Sequence, residues 1–173
     1  VRRAVADLRK RAADGDVTLV FLMGHGTADT DEAKFNLVGP DLSVDEWAAL
    51  FKPLPGRLVF INGASGSFPF LAKLAGPGRI VLTSTDSAAQ QYETVFPQYF
   101  IEALNTDGSD LDKNGKVSML EAFTFASARV RNWFEQRGQL ATERPLLDDV
   151  GDGIGREADA PARGTLAQVT YLQ

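Results

Sequence analysis

Two patterns of apolar residues run through the chain, one at helical spacing and one in short unbroken runs. Val5, Leu8 and Ala12 fall at helical spacing among Arg, Lys and Asp, which predicts an amphipathic helix over Val1–Ala13. Asp14-Gly15-Asp16 ends it. VTLVFLM (Val17–Met23) is a continuous β-rich run, the pattern of a strand buried on both faces. FNLV (Phe35–Val38) predicts a short extension strand after a polar loop, TADTDEAK. Ser43-Val44-Asp45-Glu46 forms a capping box that opens a helix through Trp47, Leu50 and Phe51, stopped by Pro53 and Pro55. RLVFI (Arg57–Ile61) and RIVLTST (Arg79–Thr85) repeat the buried-strand pattern, with a short helix, Phe68–Ala75, between them.

Further on, Tyr92, Phe96, Tyr99, Phe100 and Leu104 predict one helix. Leu120, Phe123, Ala126, Val130 and Phe134 predict another over Ser118–Arg137. LAQVTYL (Leu166–Leu172) would close the sheet as an edge strand. Strands alternating with helices through short connections imply an α/β fold, a mostly parallel sheet with helices on both faces. The 173 residues suit one domain with a full core. The chain begins abruptly on a helix, as a fragment would.

Composition narrows the function. A net charge of -5 argues against a nucleic-acid or anionic-membrane surface, which needs clustered Lys and Arg. No apolar run approaches a membrane span, and the basic start VRRAVADLRKRAADGD lacks the apolar stretch of a signal peptide. Cysteine is absent, which removes disulfides, thiolate metal sites and thiol nucleophiles together and leaves the redox compartment open.

In an open α/β sheet, ligands bind beyond the carboxyl ends of the strands. The sole histidine, His25, stands between Gly24 and Gly26 after the first buried run, and FINGASGSF (Phe60–Phe68) ends the second. The flanking glycines let backbone approach a ligand and expose both ring nitrogens. The plainer reading is a histidine that satisfies its own loop. Ser65 and Ser67 are the nearby hydroxyls, suited to a helix N-cap and a turn.

VFLMGHG followed by ING-A-SGS (Ile61–Ser67) resembles the caspase-like fold. The legumain family of cysteine peptidases is closest, with a nucleophile segment that reads Glu-Ala-Cys-x-Ser-Gly-Ser. The likeness runs from Val17 through RIVLTST and implies a caspase-like three-layer sandwich. It also implies a first strand that is missing here or supplied from elsewhere. Matching Ser65-Gly66-Ser67 places Gly63 where the family has its cysteine, so the family's covalent mechanism has no nucleophile. By the same resemblance His25 is the retained dyad histidine. The N–H groups of Gly26 and Gly63 would face a substrate carbonyl. Thr83, Ser84 and Asp86 would line the specificity pocket, Asp86 suiting a basic or amide-bearing side chain.

DLDKNGKVSMLE (Asp110–Glu121) fits the twelve-residue EF-hand calcium loop. Asp110, Asp112 and Asn114 hold the first, third and fifth places, and Gly115 the sixth, where the chain turns sharply. Lys116 would offer its carbonyl, Ser118 the ninth ligand place, and Glu121 the bidentate carboxylate. Ser118-x-x-Glu121 is also a capping box. One unpaired hand implies a structural Ca2+ site of modest affinity. DDVGDGIG (Asp148–Gly155) echoes the pattern, with Val150 at a ligand place, and reads as a turn.

These readings converge on a catalytically inactive relative of legumain- and caspase-like peptidases, binding a peptide or protein segment or serving as a scaffold, and stabilised by calcium. The alternatives are a hydrolase using Ser65 or Ser67 with His25, a cysteine peptidase whose nucleophile was replaced at Gly63, and a purely structural domain. The compartment is open, and millimolar extracellular calcium would suit a periplasmic or secreted setting.

Overall fold

The computed structural model describes residues 1–29, 32–161 and 164–172; Thr30 and Asp31 of the expected polar loop lie outside them. The elements, in order, are α1 (Arg2–Arg11), β1 (Val17–Leu22), β2 (Gly26–Ala28), β3 (Ala33–Phe35), β4 (Leu42–Ser43), α2 (Val44–Phe51) and β5 (Arg57–Asn62). They continue with α3 (Phe68–Leu74), β6 (Arg79–Thr83), α4 (Phe96–Leu104), α5 (Met119–Glu135) and β7 (Leu146–Asp148).

The main sheet runs in the order β1-β5-β6-β7. β1, β5 and β6 are parallel, and β7 is antiparallel to β6. β2, β3 and β4 form a separate antiparallel sheet. The side-chain period of two splits the main strands between two cores. Leu58, Phe60 and Val81 pack with Trp47 and Phe51 of α2 and Phe70 of α3. Val59, Ile61, Ile80 and Leu82 pack with Phe96 and Phe100 of α4 and Phe123 of α5. The result is an α/β sandwich, helices on both faces of a mixed, mostly parallel sheet. The Ser43–Glu46 capping box forms as expected: Glu46 N–H donates to Ser43 Oγ at 3.3 Å and Ser43 N–H to Glu46 Oε2 at 2.9 Å. Among the described residues no helix is long and apolar enough to cross a membrane.

Four expectations change. β1 is an edge strand, with Val17 43% and Leu19 40% exposed, rather than a strand buried on both faces. Its apolar run is satisfied because Val20 packs against one core and Phe21 against the other. LAQVTYL forms no strand, and the closing edge strand is β7. Ala167 and Thr170 are the buried pair of that stretch, spaced three apart, which is a helical turn's spacing and not a strand's. Of FNLV only Phe35 lies in a strand, as the last residue of β3 in the small antiparallel sheet. Tyr92 lies outside α4, which starts at Phe96, and is 70% exposed.

Candidate functional site

The parallel pairing of β1 with β5 sets Leu22 opposite Asn62. Gly63 N–H then donates to the Leu22 carbonyl at 2.9 Å. The loops carrying His25 and Gly63 are therefore neighbours at the carboxyl edge of the sheet. Ser65 welds them together: its Oγ donates to the Gly26 carbonyl at 2.8 Å, and Gly26 N–H points back to that Oγ at 3.4 Å. The hydroxyl is buried and engaged with the backbone it would have to leave to act as a nucleophile. His25 is exposed, and its carbonyl accepts from Asn36 N–H at 3.0 Å.

Gly63 is enclosed. A Cβ built there would lie 2.5 Å from Pro97 Cγ and 3.1 Å from the Leu22 carbonyl oxygen. The Gly63 carbonyl accepts from Thr94 Oγ1. The place of a nucleophile side chain is thus filled from the α4 side.

The hydroxyls after β6 form a closed set. Ser67 Oγ, fully buried, accepts from Ser84 N–H at 3.1 Å and Thr85 N–H at 3.2 Å and lies 3.1 Å from Thr85 Oγ1. Ser67 occupies the α3 N-cap position without capping; Thr85 Oγ1 accepts Phe68 N–H instead, at 3.1 Å. Thr83 Oγ1 donates to the Thr85 carbonyl at 3.1 Å. Thr83 and Ser84 are both fully buried, and Ser84 Oγ has no hydrogen-bond partner among the described residues. Asp86 is half-buried and faces Arg144 at 3.7 Å, so its charge already has a counter-ion.

A group absent from the sequence reading completes this region. Glu143, 4% exposed, accepts Val95 N–H and Phe96 N–H, each at 2.8 Å, at the start of α4. Burial pushes its carboxyl up to about 7, against the lowering effect of those two N–H donors. No local pattern in LATERP marks it, because its partners lie far back along the chain. The start of α4 did carry a signal: Phe96-Pro97 suits the first turn of a helix.

The Asp110–Glu121 loop is wound as its spacing predicts. Asp110 Oδ2 accepts Gly115 N–H at 2.8 Å, Asp112 Oδ1 accepts Asn114 N–H at 3.1 Å, and Asn114 Oδ1 accepts Lys116 N–H at 2.9 Å. Gly115, at φ 81°, supplies the left-handed turn. One carboxylate oxygen each from Asp110, Asp112 and Glu121 lies within 4.8 Å of the others. Glu121 Oε1 accepts from Leu111 N–H at 2.9 Å and Asp112 N–H at 3.2 Å. Its Oε2 accepts from Ser118 N–H at 2.9 Å and Ser118 Oγ at 2.8 Å. Burial works to raise this carboxyl, yet the donors of Ser118, Asp112 and Leu111 together hold it below its ordinary value. The far side of the loop pairs with Ala167–Tyr171: Met119 N–H donates to Thr170 O at 2.9 Å, and Leu120 N–H to Ala167 O at 3.1 Å. In the Asp148 loop, Asp148 Oδ1 and Oδ2 accept the N–H groups of Val150, Gly151 and Gly153, which makes it a turn.

No family model matches the chain. No curated protein matches it either. Among solved structures it is similar to protein GSU0716 from Geobacter sulfurreducens, a structural-genomics target, with a TM-score of 0.57 and 13% sequence identity. That likeness covers 99% of this chain and 78% of the other and is a likeness of fold.

Proposed function

We propose that this domain is a non-catalytic relative of the legumain- and caspase-like peptidases, a scaffold that receives a peptide or protein segment at the loops after β1 and β5 and is braced by one calcium ion. The observation that carries the non-catalytic reading is Pro97, whose ring fills the space a side chain at Gly63 would need. A serine hydrolase is disfavoured because Ser65 and Ser67 both spend their hydroxyls on backbone groups that join the loops.

The calcium reading rests on hard oxygen ligands converging in a loop already wound for them. Asp110, Asp112, Asn114 and Glu121 would hold the ion through side-chain oxygens and Lys116 through its carbonyl, with Ser118 at the ninth place. Calcium supplies positive charge at the loop's centre. The chain's own part is to present three carboxylates there and tie the ion to the start of α5. An ion at Glu121 would compete with the N–H groups of Leu111 and Asp112 for Oε1.

The test has two arms. Fluorogenic peptides of broad sequence are incubated with the protein, with and without calcium, and no cleavage is expected. Cleavage that Ser65→Ala abolishes would overturn the non-catalytic reading. Chelator-treated protein is titrated with calcium by calorimetry and by amide NMR. Saturable uptake is expected, with the Leu111 and Asp112 amides among those that shift most. Absence of uptake would reduce the loop to a turn and a cap.

A further inference from the structure

The chain between β6 and α4 crosses the same edge of the sheet that holds His25 and Gly63, and it is fastened there along its length. The Gln90 carbonyl accepts Gly66 N–H at 2.7 Å. Gln91 Nε2 donates to the Ala28 carbonyl at 3.4 Å, and Thr94 Oγ1 donates to the Gly63 carbonyl. Gly66 and Gly63 belong to the loop after β5, and Ala28 ends β2. The segment therefore takes up backbone donors and acceptors that an outside polypeptide would need at this edge. Tyr92, at its middle, is 70% exposed, and apolar packing is confined to Ala88 and Val95 nearer its ends, so the middle of the crossing is held by backbone and polar bonds.

Both ends of this segment are held by adjacent residues of one other stretch. Asp86, at its start, faces Arg144 at 3.7 Å. Val95, at its end, and Phe96 donate to the two oxygens of Glu143. We propose that Asp86–Val95 is a strap lying shut across the loops after β1 and β5, and that Glu143 is the clasp whose release lets it open. This goes beyond the peptidase-relative reading and stands independently of it, since it needs only the strap's own bonds.

Glu143 lines a cavity of about 90 Å³ with Ser127 and Arg131 of α5, Arg144, and Glu157. Arg131 is drawn to Asp159 at 3.1 Å and Arg144 to Asp86, while Glu157 adds a like charge. From the strap and α4, Glu143 meets the uncharged amides of Val95 and Phe96. Burial makes its ionised form costly. Opening the strap returns the carboxyl to water, where ionisation is free of that cost. Proton linkage then sets the direction: the shut form binds the proton more tightly, so it is favoured at acid pH and loses ground as pH rises from the ordinary carboxyl range through about 7.

The experiment is amide hydrogen exchange on the whole chain, as protection factors between pH 5 and pH 8. The amides of Gly66, Val95 and Phe96 are compared with those of Val59–Ile61 in β5. In the unaltered protein the first group should exchange faster than β5 at every pH. Its opening should grow on the order of 50-fold across the range. Glu143→Gln should flatten that pH dependence. Thr94→Val, which loosens the strap without touching a charge, should speed exchange of the same amides and leave the pH dependence intact. Equal protection of strap and β5 amides would show that the strap has no opening of its own. A pH dependence that survives in Glu143→Gln would remove Glu143 as the clasp. Either result overturns the proposal.

Discussion

Glu121 and Glu143 do the same job at two places, with opposite electrostatic outcomes. Each is more than nine-tenths buried, and each accepts backbone N–H groups at the start of a helix, α5 and α4 respectively. Glu121 collects two further amides and a hydroxyl, and the four donors hold its carboxyl below the ordinary value. Glu143 has two donors, and burial wins, carrying it up to about 7. The difference teaches that donors and depth decide together: Glu121 has four donors beside the exposed stretch 111–116, whereas Glu143 has two and lies deeper, so burial wins there. One of these helices starts on a fixed anion, the other on a group that titrates near neutrality.

The largest way to break that comparison is Glu121→Ala. It leaves the amides of Ser118, Leu111 and Asp112 without their acceptor and removes the Glu121 half of the α5 capping box, while Ser118 Oγ still accepts the N–H of residue 121. An apo-state loss of about 4 kcal/mol is expected in urea unfolding. The substitution should also abolish the proposed stabilisation by calcium, which mass action would set at about 2.7 kcal/mol for the unaltered protein at a hundred times the dissociation constant. A loss below about 1 kcal/mol would mean the four bonds do not act together.

The second test is pH. Glu143 binds its proton more tightly folded than unfolded, so its contribution is fully present below the ordinary carboxyl value and declines as pH rises through about 7. Its ceiling is roughly 3 kcal/mol, from 1.36 kcal/mol per unit. Glu121 runs the other way: its stabilisation is present above the ordinary carboxyl value and fades as pH falls below it. Unfolding free energies of the parent and Glu143→Gln, measured from pH 4 to pH 8, should diverge steadily. Parallel curves would contradict the assignment.

Third is Gly63→Cys, which presses a side chain against Pro97 at the start of α4 and so loads the Glu143 side of the comparison. Overpacking of this kind costs about 1–3 kcal/mol. The expected result is a less stable protein with no peptidase activity. A variant as stable as the parent that cleaves peptides would mean α4 yields easily and the dyad is intact. The smallest effect belongs to Arg144→Ala. It removes a partly exposed ion pair with Asp86 and should cost less than about 1 kcal/mol, read as a shift in the urea midpoint.

What was legible in the sequence were features whose partners lie within a few residues. The capping boxes at Ser43 and Ser118 formed as spaced, and so did the turn at Gly115. The parallel run of β1, β5 and β6 was legible from unbroken apolar stretches, but such a stretch cannot distinguish a central strand from an edge, and β1 proved an edge. β7 was missed because three residues carry too short a pattern. In the site, the strand order predicts that the loops carrying His25 and Gly63 are neighbours, and the β1–β5 pairing brings those loops together. In sequence Ser65 and Ser67 suit a helix N-cap and a turn, whereas the Ser65 hydroxyl serves the Gly26 carbonyl and the Ser67 hydroxyl serves Ser84 and Thr85 across the sheet edge. Glu143 acts through distant contacts, and Pro97, legible as a helix-start proline, gave no sign of its contact with Gly63, so nothing near them in sequence announced these roles.

The pairing of Ser118–Leu120 with Ala167–Tyr171 has a consequence in polymer terms. Joining these segments closes a long loop of chain, and the entropy lost in closing it grows only logarithmically with length. That cost is incurred when Ala167–Tyr171 docks, and whatever fixes Ser118–Leu120 beforehand spares the docking segment the further cost of ordering its receptor. An ion seated among Asp110, Asp112 and Glu121 would order the stretch that Thr170 docks on, and its departure would be felt first at Tyr171, far along the chain. The loop would then act as a latch on the topology, setting how readily the Ala167–Tyr171 segment peels away from α5.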